Sequence, residues 1–190
     1  MNRIARQLPS VLIPMLLGLS SSTIEAGQLI ADQQNQVPLN SCWSVVHLAP
    51  LGQEFVPSND SLDFVELYVP NMDQGSPVAA DVVINLRQGD ILGPVVGTSL
   101  PVSIPFNATG VARFDFPSQV QMVPGNHYVM EIVIVAGTGN IAVGGGWIDS
   151  YAPGRLILQG VAVTSTDNSD LWFREGIRRG GGKRGALASR

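Results

Sequence analysis

The stretch from Gly110 to Val135, GVARFDFPSQVQMVPGNHYVMEIVIV, constrains this chain more than any other. Its first run sets Phe114 and Phe116 on one face and Arg113 and Asp115 on the other. Its second run sets Tyr128, Met130, Ile132 and Ile134 opposite His127, Val129, Glu131 and Val133. A period of two is the pattern of a strand with one face toward a core. The segment that joins the runs, Met122 to Tyr128 around Pro124-Gly125, has the spacing of a tyrosine corner. In that motif a tyrosine near the start of a strand turns its hydroxyl back onto backbone a few residues upstream and pins a crossover between two sheets. Pro124, Gly125 and Tyr128 are therefore expected to be a structural device and to carry no chemistry.

The same alternation recurs along the chain. Val65, Leu67 and Val69 fall opposite Phe64, Glu66 and Tyr68, and Val82, Ile84 and Leu86 fall opposite Val83, Asn85 and Arg87. Val95–Ile104 is interrupted by Gly97 and Pro101, which suits a sheet edge. Further strands are expected at Gln28–Asp32, Trp43–Leu48, Gln53–Val56, Asn140–Gly144, Arg155–Val163 and Asp170–Arg174. Gly144-Gly145-Gly146 is expected to dissolve into a loop, Trp147–Gly154. No window after the N-terminal segment places apolar residues at helical spacing. About ten short strands separated by turn residues predict an all-β fold, an antiparallel β-sandwich of jelly-roll-like form. With 190 residues, 45% of them hydrophobic, the chain suits one such domain behind an export segment.

The N-terminus has the layout of a secretory signal peptide. Arg3 and Arg6 precede an apolar run from Val11 to Leu19, followed by small and polar residues and a plausible cut after Ala26. The competing reading is an uncleaved membrane anchor, but the run is short for a bilayer and Pro14 interrupts it. The expected organisation is thus a leader over 1–26, a sandwich over 27–177 and a basic flexible tail over 178–190, with the mature chain secreted or in the cell envelope and without a membrane span. From Gly27 to Ile177 there are fourteen acidic residues against four arginines and no lysine. A surface of that sign repels phosphate backbones, which argues against nucleic acid as a partner. The single cysteine, Cys42, excludes an intrachain disulfide, and burial beside Trp43 is expected for it.

Residues that carry chemistry are sparse. His47 and His127 are the only histidines, neither lies in a nucleophile motif, and with Cys42 they lack the spacing of a zinc site. No catalytic residue is assigned. Asp63, Glu66, Asp81, Asp115 and Glu131 sit at outward or edge positions where two carboxylates can approach one another as in a glycosidase; the plainer reading is a solvated acidic face. Asp167, Asn168 and Asp170 form an oxygen-rich turn suited to a structural calcium ion, with an ordinary turn as the alternative. No other cofactor is expected. The most suggestive stretch is Gly144 to Tyr151, GGGWIDSY. Trp147 and Tyr151 flank Asp149, and the glycines would let the loop lie flat as a stacking platform for a sugar ring. The alternative is that Trp147 closes the end of the sandwich and Tyr151 packs on Pro153, which apolar burial alone favours.

Several stretches taken together, FVPSNDSLDFVELYV, DVVINLRQGDILGPVVGTSLPVSIP, VPGNHY, DSYAPGRLILQG and NSDLWFREGI, resemble in the same order a group of exported bacterial β-sandwich proteins of the PEP-CTERM or choice-of-anchor type. The resemblance spans essentially Gln28 to Ile177. It implies export and a jelly-roll-like sandwich, and it implies no enzymatic activity and no catalytic residues. In that group Pro-Glu-Pro, an apolar helix and a basic end would follow. Here Ile177 is followed by Arg178-Arg179-Gly180-Gly181-Gly182-Lys183-Arg184 instead. The expected function is a non-catalytic extracellular or cell-envelope module that binds a carbohydrate or exopolysaccharide through Trp147, Asp149 and Tyr151. The alternatives are a surface protein that associates with copies of itself and, third, a glycoside-active enzyme using paired carboxylates.

Overall fold

The computed structural model describes residues 27–73, 78–164 and 169–179. The expected leader lies outside them, as do Asp167 and Asn168 and residues 180–190. The described chain forms fourteen strands and one helical turn. In order they are β1 (Gln28–Asn35), β2 (Ser41–Ser44), α1 (Val45–Leu48), β3 (Leu51–Phe55), β4 (Ser61–Tyr68), β5 (Ala80–Gln88), β6 (Val95–Thr98) and β7 (Val102–Ile104). After these come β8 (Val111–Gln121), β9 (Tyr128–Gly137), β10 (Ala142–Gly146), β11 (Leu156–Leu158), β12 (Val161–Ala162), β13 (Asp170–Leu171) and β14 (Phe173–Arg179). All pairings are antiparallel.

One layer is a four-stranded sheet in the order β1-β14-β4-β8. The other is a seven-stranded sheet, β12-β11-β3-β9-β5-β6, with β7 also on β5. A third, smaller sheet, β13-β10-β2, adjoins them. The inward faces expected from alternation form a single core. Leu62, Val65, Leu67, Phe114, Phe116 and Phe173 come from the first layer, and Leu51, Phe55, Val82, Ile84, Leu86, Met130 and Ile132 from the second. The small sheet adds Trp43, Val143 and Leu171 to the same cluster. The protein is an antiparallel β-sandwich.

The corner between β8 and β9 is built as its spacing predicts. The backbone N–H of Val123 donates to the Tyr128 hydroxyl at 2.9 Å, and the ring is buried. Gly125 takes φ +81° and its N–H donates to the Pro57 carbonyl at 2.9 Å, which ties the turn to the segment between β3 and β4. The chain thereby leaves the four-stranded sheet at Gln121 and enters the seven-stranded one at Tyr128.

Several expected elements differ. The strand expected at Trp43–Leu48 ends at Ser44, and α1 follows, burying Val45 and leaving Val46 and His47 exposed. Arg155–Val163 is a hairpin, because Gln159 and Gly160 both take positive φ (53° and 77°), the backbone a two-residue turn needs to match sheet twist. Asp170–Arg174 divides at Trp172, where the chain passes from the small sheet to the four-stranded one; Trp172 is half-buried. The last strand runs on to Arg179, opposite Gln28 of β1 and two residues beyond Ile177. Val129, expected to face outward, is fully buried, because Ile91 and Ile157 cover that face of β9 as a second apolar cluster. Cys42 is exposed, and its partner in the strand pattern, Trp43, is the buried one. Alternation along β2 puts the two side chains on opposite faces.

Removing the corner hydroxyl leaves the Val123 N–H without its acceptor. Tyr128→Phe is expected to lower the unfolding free energy by about 1–2 kcal/mol, read as a shifted urea midpoint with an unchanged slope. An unshifted midpoint would mean the bond contributes nothing to the crossover.

Candidate functional site

The loop from Trp147 to Gly154 is held from beneath by a buried hydrogen-bond network. Gln53, on β3 of the large sheet, donates from Nε2 to Asp170 Oδ1 at 2.9 Å and accepts from Leu171 N at 2.9 Å. Asp170 Oδ2 accepts from the backbone N–H groups of Ser150 and Tyr151, both at 2.9 Å. Ser150 Oγ donates to Asn35 Oδ1 at 2.9 Å, and Asn35 Nδ2 donates to the Leu171 carbonyl at 2.9 Å. Gln53 and Asp170 are 0% and 1% exposed, so these are among the costliest polar groups in the fold to leave unpaired. Burial pushes the Asp170 carboxyl up, while the hydrogen bonds from Tyr151, Gln53 and Ser150 pull it back. Both of its oxygens already accept from the protein. Asp170 is thus a brace for the loop; of the three residues expected around calcium, it alone lies among the described ones. Those residues hold no cluster of three metal-ligating side chains.

Trp147 and Tyr151 do not stand side by side as a platform. Tyr151 turns inward, 6% exposed, with its ring edge-on to Phe173 at 5.0 Å between centroids. Its hydroxyl accepts from Val56 N and donates to Gln33 Oε1, each at 3.2 Å. Burial, together with the carboxylates of Glu175, Asp32 and Asp170, pushes that phenol up to about 12. Trp147 is 57% exposed. Its backbone N–H donates to Asn40 Oδ1 at 3.0 Å, and its ring meets buried Trp43 at 5.8 Å in an edge arrangement. The indole is therefore anchored at its root and open on its surface, with Ile148 and Leu39 exposed near it in sequence or through the glycine strand. The three glycines are not a loop at all. They complete β10 and are buried, because Tyr68 and Leu39 crowd Gly144, the Trp43 ring and β13 backbone crowd Gly145, and Val37 crowds Gly146. Any side chain there would collide with one of these neighbours. Glycine here permits close packing under the loop.

Asp149 is exposed and lines a polar cleft of about 320 Å³ with Arg155, Thr164, Ser169 and Asp170. A second depression of about 330 Å³, containing Glu54 and His127, shares Gly154 and Arg155 with the first. His127 Nδ1 lies 2.7 Å from Glu54 Oε1. His47 lies apart, exposed in α1. Among the carboxylates weighed as catalytic pairs, Glu66 pairs with Arg174, Glu131 with Arg87, and Asp115 with Arg113 and Arg178. Asp63 accepts from Arg178 N, and Asp81 lies in register with Ser103 and Ala136.

One titratable group escaped the sequence reading. Glu175 on β14 is fully buried, accepts from Gln33 N at 3.1 Å through one oxygen, and its other oxygen has no partner. Burial first, and Asp32 second, push its carboxyl up from 4.5 to about 8. Nothing in the alternation flagged it, since its neighbours on both sides of β14 are supplied by β1 and β4 from distant parts of the chain.

Comparison of the chain with protein-family models, with curated proteins and with solved structures returns no match. No helix among the described residues is long and apolar enough to cross a membrane.

The folded state holds the Glu175 proton over a range in which the unfolded chain has released it. Stability is therefore expected to fall as pH rises from about 4.5 to about 8 and to level off above. The loss should be on the order of a few kcal/mol. Glu175→Gln should flatten that slope and be the more stable form at pH 8, measured by urea unfolding across the range. A slope identical in both proteins would show that Glu175 is ionised in the fold at neutral pH.

Proposed function

We propose that this protein is an exported, non-catalytic β-sandwich module that binds carbohydrate through Trp147. The observation that carries the reading is the combination at that residue: a large aromatic surface open to solvent, fixed at its backbone by Asn40 and braced by Trp43. An aromatic side chain held in one place loses little conformational freedom on binding, and a sugar ring presents a C–H face that stacks on it. Asp149, two residues on and exposed, supplies a carboxylate able to accept hydroxyl hydrogens. Tyr151 contributes by fixing the loop from beneath. Export rests on the basic-then-apolar N-terminus and on the resemblance to exported proteins of the PEP-CTERM or choice-of-anchor type. In a glycan array or polysaccharide pull-down, Trp147→Ala should weaken binding at least tenfold with unchanged thermal stability. Absence of any glycan binding by the wild-type protein would refute the reading.

A second reading, association between copies, is favoured by exposed apolar residues at the β6 edge of the large sheet. Leu92, Val95, Val96 and Leu100 all stand open there, Leu92 at 82%. An apolar sheet edge is a ready template for another strand. Light scattering over a hundredfold concentration range should then show a rising mass that Val96→Lys suppresses. A constant monomer mass would remove this reading.

A further inference from the structure

Strand β1 is fastened to the sandwich by hydrogen bonds and hardly at all by apolar packing. It stands at the edge of the four-stranded sheet, and among the described residues it pairs only with β14. None of its side chains belongs to either apolar cluster, and Asn35 at its end is the one buried residue in it. An edge element with few buried apolar contacts opens at lower cost than the strands that carry the core. Its close approach to β14 depends on Gly176, where any side chain would meet the Ile30 carbonyl and the Ala31 Cα.

The polar ties of β1 gather around one interior carboxyl. The ladder slips by one residue at Asp32, between the pairs Ala31–Gly176 and Gln33–Glu175. At that bulge the Asp32 carboxylate accepts from Ser58 N at 2.7 Å and Asn59 N at 2.9 Å. Gln33 donates from its backbone N–H to Glu175 Oε1 at 3.1 Å and from Nε2 to Ser58 Oγ at 2.8 Å. Its Oε1 accepts from the Tyr151 hydroxyl at 3.2 Å. Glu175 shares the inner face of β14 with Phe173 and is fully buried, its Oε2 without a partner. The groups around it are Asp32 from β1, Val65 from β4 and Tyr151 from the loop, with Asp170 also acting on that phenol. Arg174 and Arg178 alternate to the outer face of β14, where they pair with Glu66 and Asp115. The carboxyl is thus sealed beside another acid, with the cations of its own strand turned away. A charge there is costly, and lifting β1 returns it to water.

We propose that residues 28–34 form a releasable strand, latched to β14 while Glu175 keeps its proton and let go when that proton leaves, with both apolar clusters intact. Asn35 is the hinge, since it stays tied to the Leu171 carbonyl through Nδ2 and to Ser150 Oγ through Oδ1. In the closed form burial and Asp32 hold the proton up to about pH 8, whereas in the lifted form the carboxyl returns toward 4.5. Opening therefore releases a proton between those two values and is favoured by up to about tenfold per pH unit across that window. Above the window both forms are ionised and the preference is constant. Lifting bares the β14 edge, a row of unpaired backbone groups open to another strand.

Hydrogen exchange of the full chain, followed by mass spectrometry from pH 5 to pH 8.5, tests the latch. Wild type is compared with Glu175→Gln at each pH, which cancels the intrinsic pH dependence of exchange. Relative to their rates in the unfolded chain, wild-type β1 amides should exchange at least about tenfold faster than β9 amides. The ratio of wild-type to Glu175→Gln rates at β1 should rise at least about tenfold over the pH range. Gly176→Ala, which pushes β1 away without touching the carboxyl, should speed β1 exchange already at pH 5. Glu175→Met serves if the glutamine variant fails to fold. Equal protection of β1 and β9 overturns local release, because the strand then leaves only when the whole sandwich unfolds. A β1 ratio that stays constant with pH overturns Glu175 as the latch. Unaltered β1 exchange in Gly176→Ala overturns the close β1–β14 contact as what the latch holds shut.

Discussion

The carboxylate of Asp170 is the joint on which the end of this molecule that carries the Trp147 loop depends. A buried acid is costly unless its oxygens are met by donors, and here the donors come from parts of the chain far apart. Gln53 belongs to the large sheet, Asp170 to the small one, and Ser150 and Tyr151 to the long loop between β10 and β11. Satisfying one carboxylate therefore fixes three pieces of structure relative to one another. Leu171, immediately after it, completes the exchange by donating back to Gln53. The geometry of the loop is set from underneath, by the buried side chains of Gln53, Asp170 and Asn35.

That arrangement explains why two aromatic residues four positions apart have opposite fates. The backbone N–H groups of Ser150 and Tyr151 point at Asp170, and the Tyr151 ring consequently drops onto Phe173. Trp147 precedes this anchor and is tied at its own N–H to Asn40, so its ring stays above the surface with only its edge on Trp43. The glycine run just before it belongs to the packing beneath, where Tyr68, Trp43 and Val37 come too close to the backbone for any side chain. One aromatic serves the core, the other faces water, and Asp149 between them opens onto a cleft that Arg155 and Asp170 also line.

Much of the fold was legible in the sequence because its warrant is local. Alternation over Leu62–Val69, Asp81–Gln88 and the β8–β9 stretch needs only neighbouring residues, and the corner spacing before Tyr128 needs only six. The candidate site was legible in part. Trp147 and Asp149 are exposed, as a binding platform requires, and the inward turn of Tyr151 matches the packing alternative, with Phe173 in place of Pro153. Where the expectation failed, the missing information was a partner from elsewhere in the chain. Val129 is buried because Ile91 and Ile157 arrive over it, and the acids Glu66, Glu131 and Asp115 are matched to Arg174, Arg87 and Arg178, which lie close only after folding.

The sequence by itself determined that this chain is a two-layered antiparallel sandwich with a tyrosine-pinned crossover, because period-two patterning and turn chemistry act over a few residues. Only the tertiary structure decided which polar residues are buried and which aromatic is free. Those outcomes depend on contacts such as Gln53 with Asp170 and Gln33 with Glu175, more than a hundred residues apart. Hydrogen bonding and desolvation at such sites are set by what the fold brings together, and no local pattern encodes that.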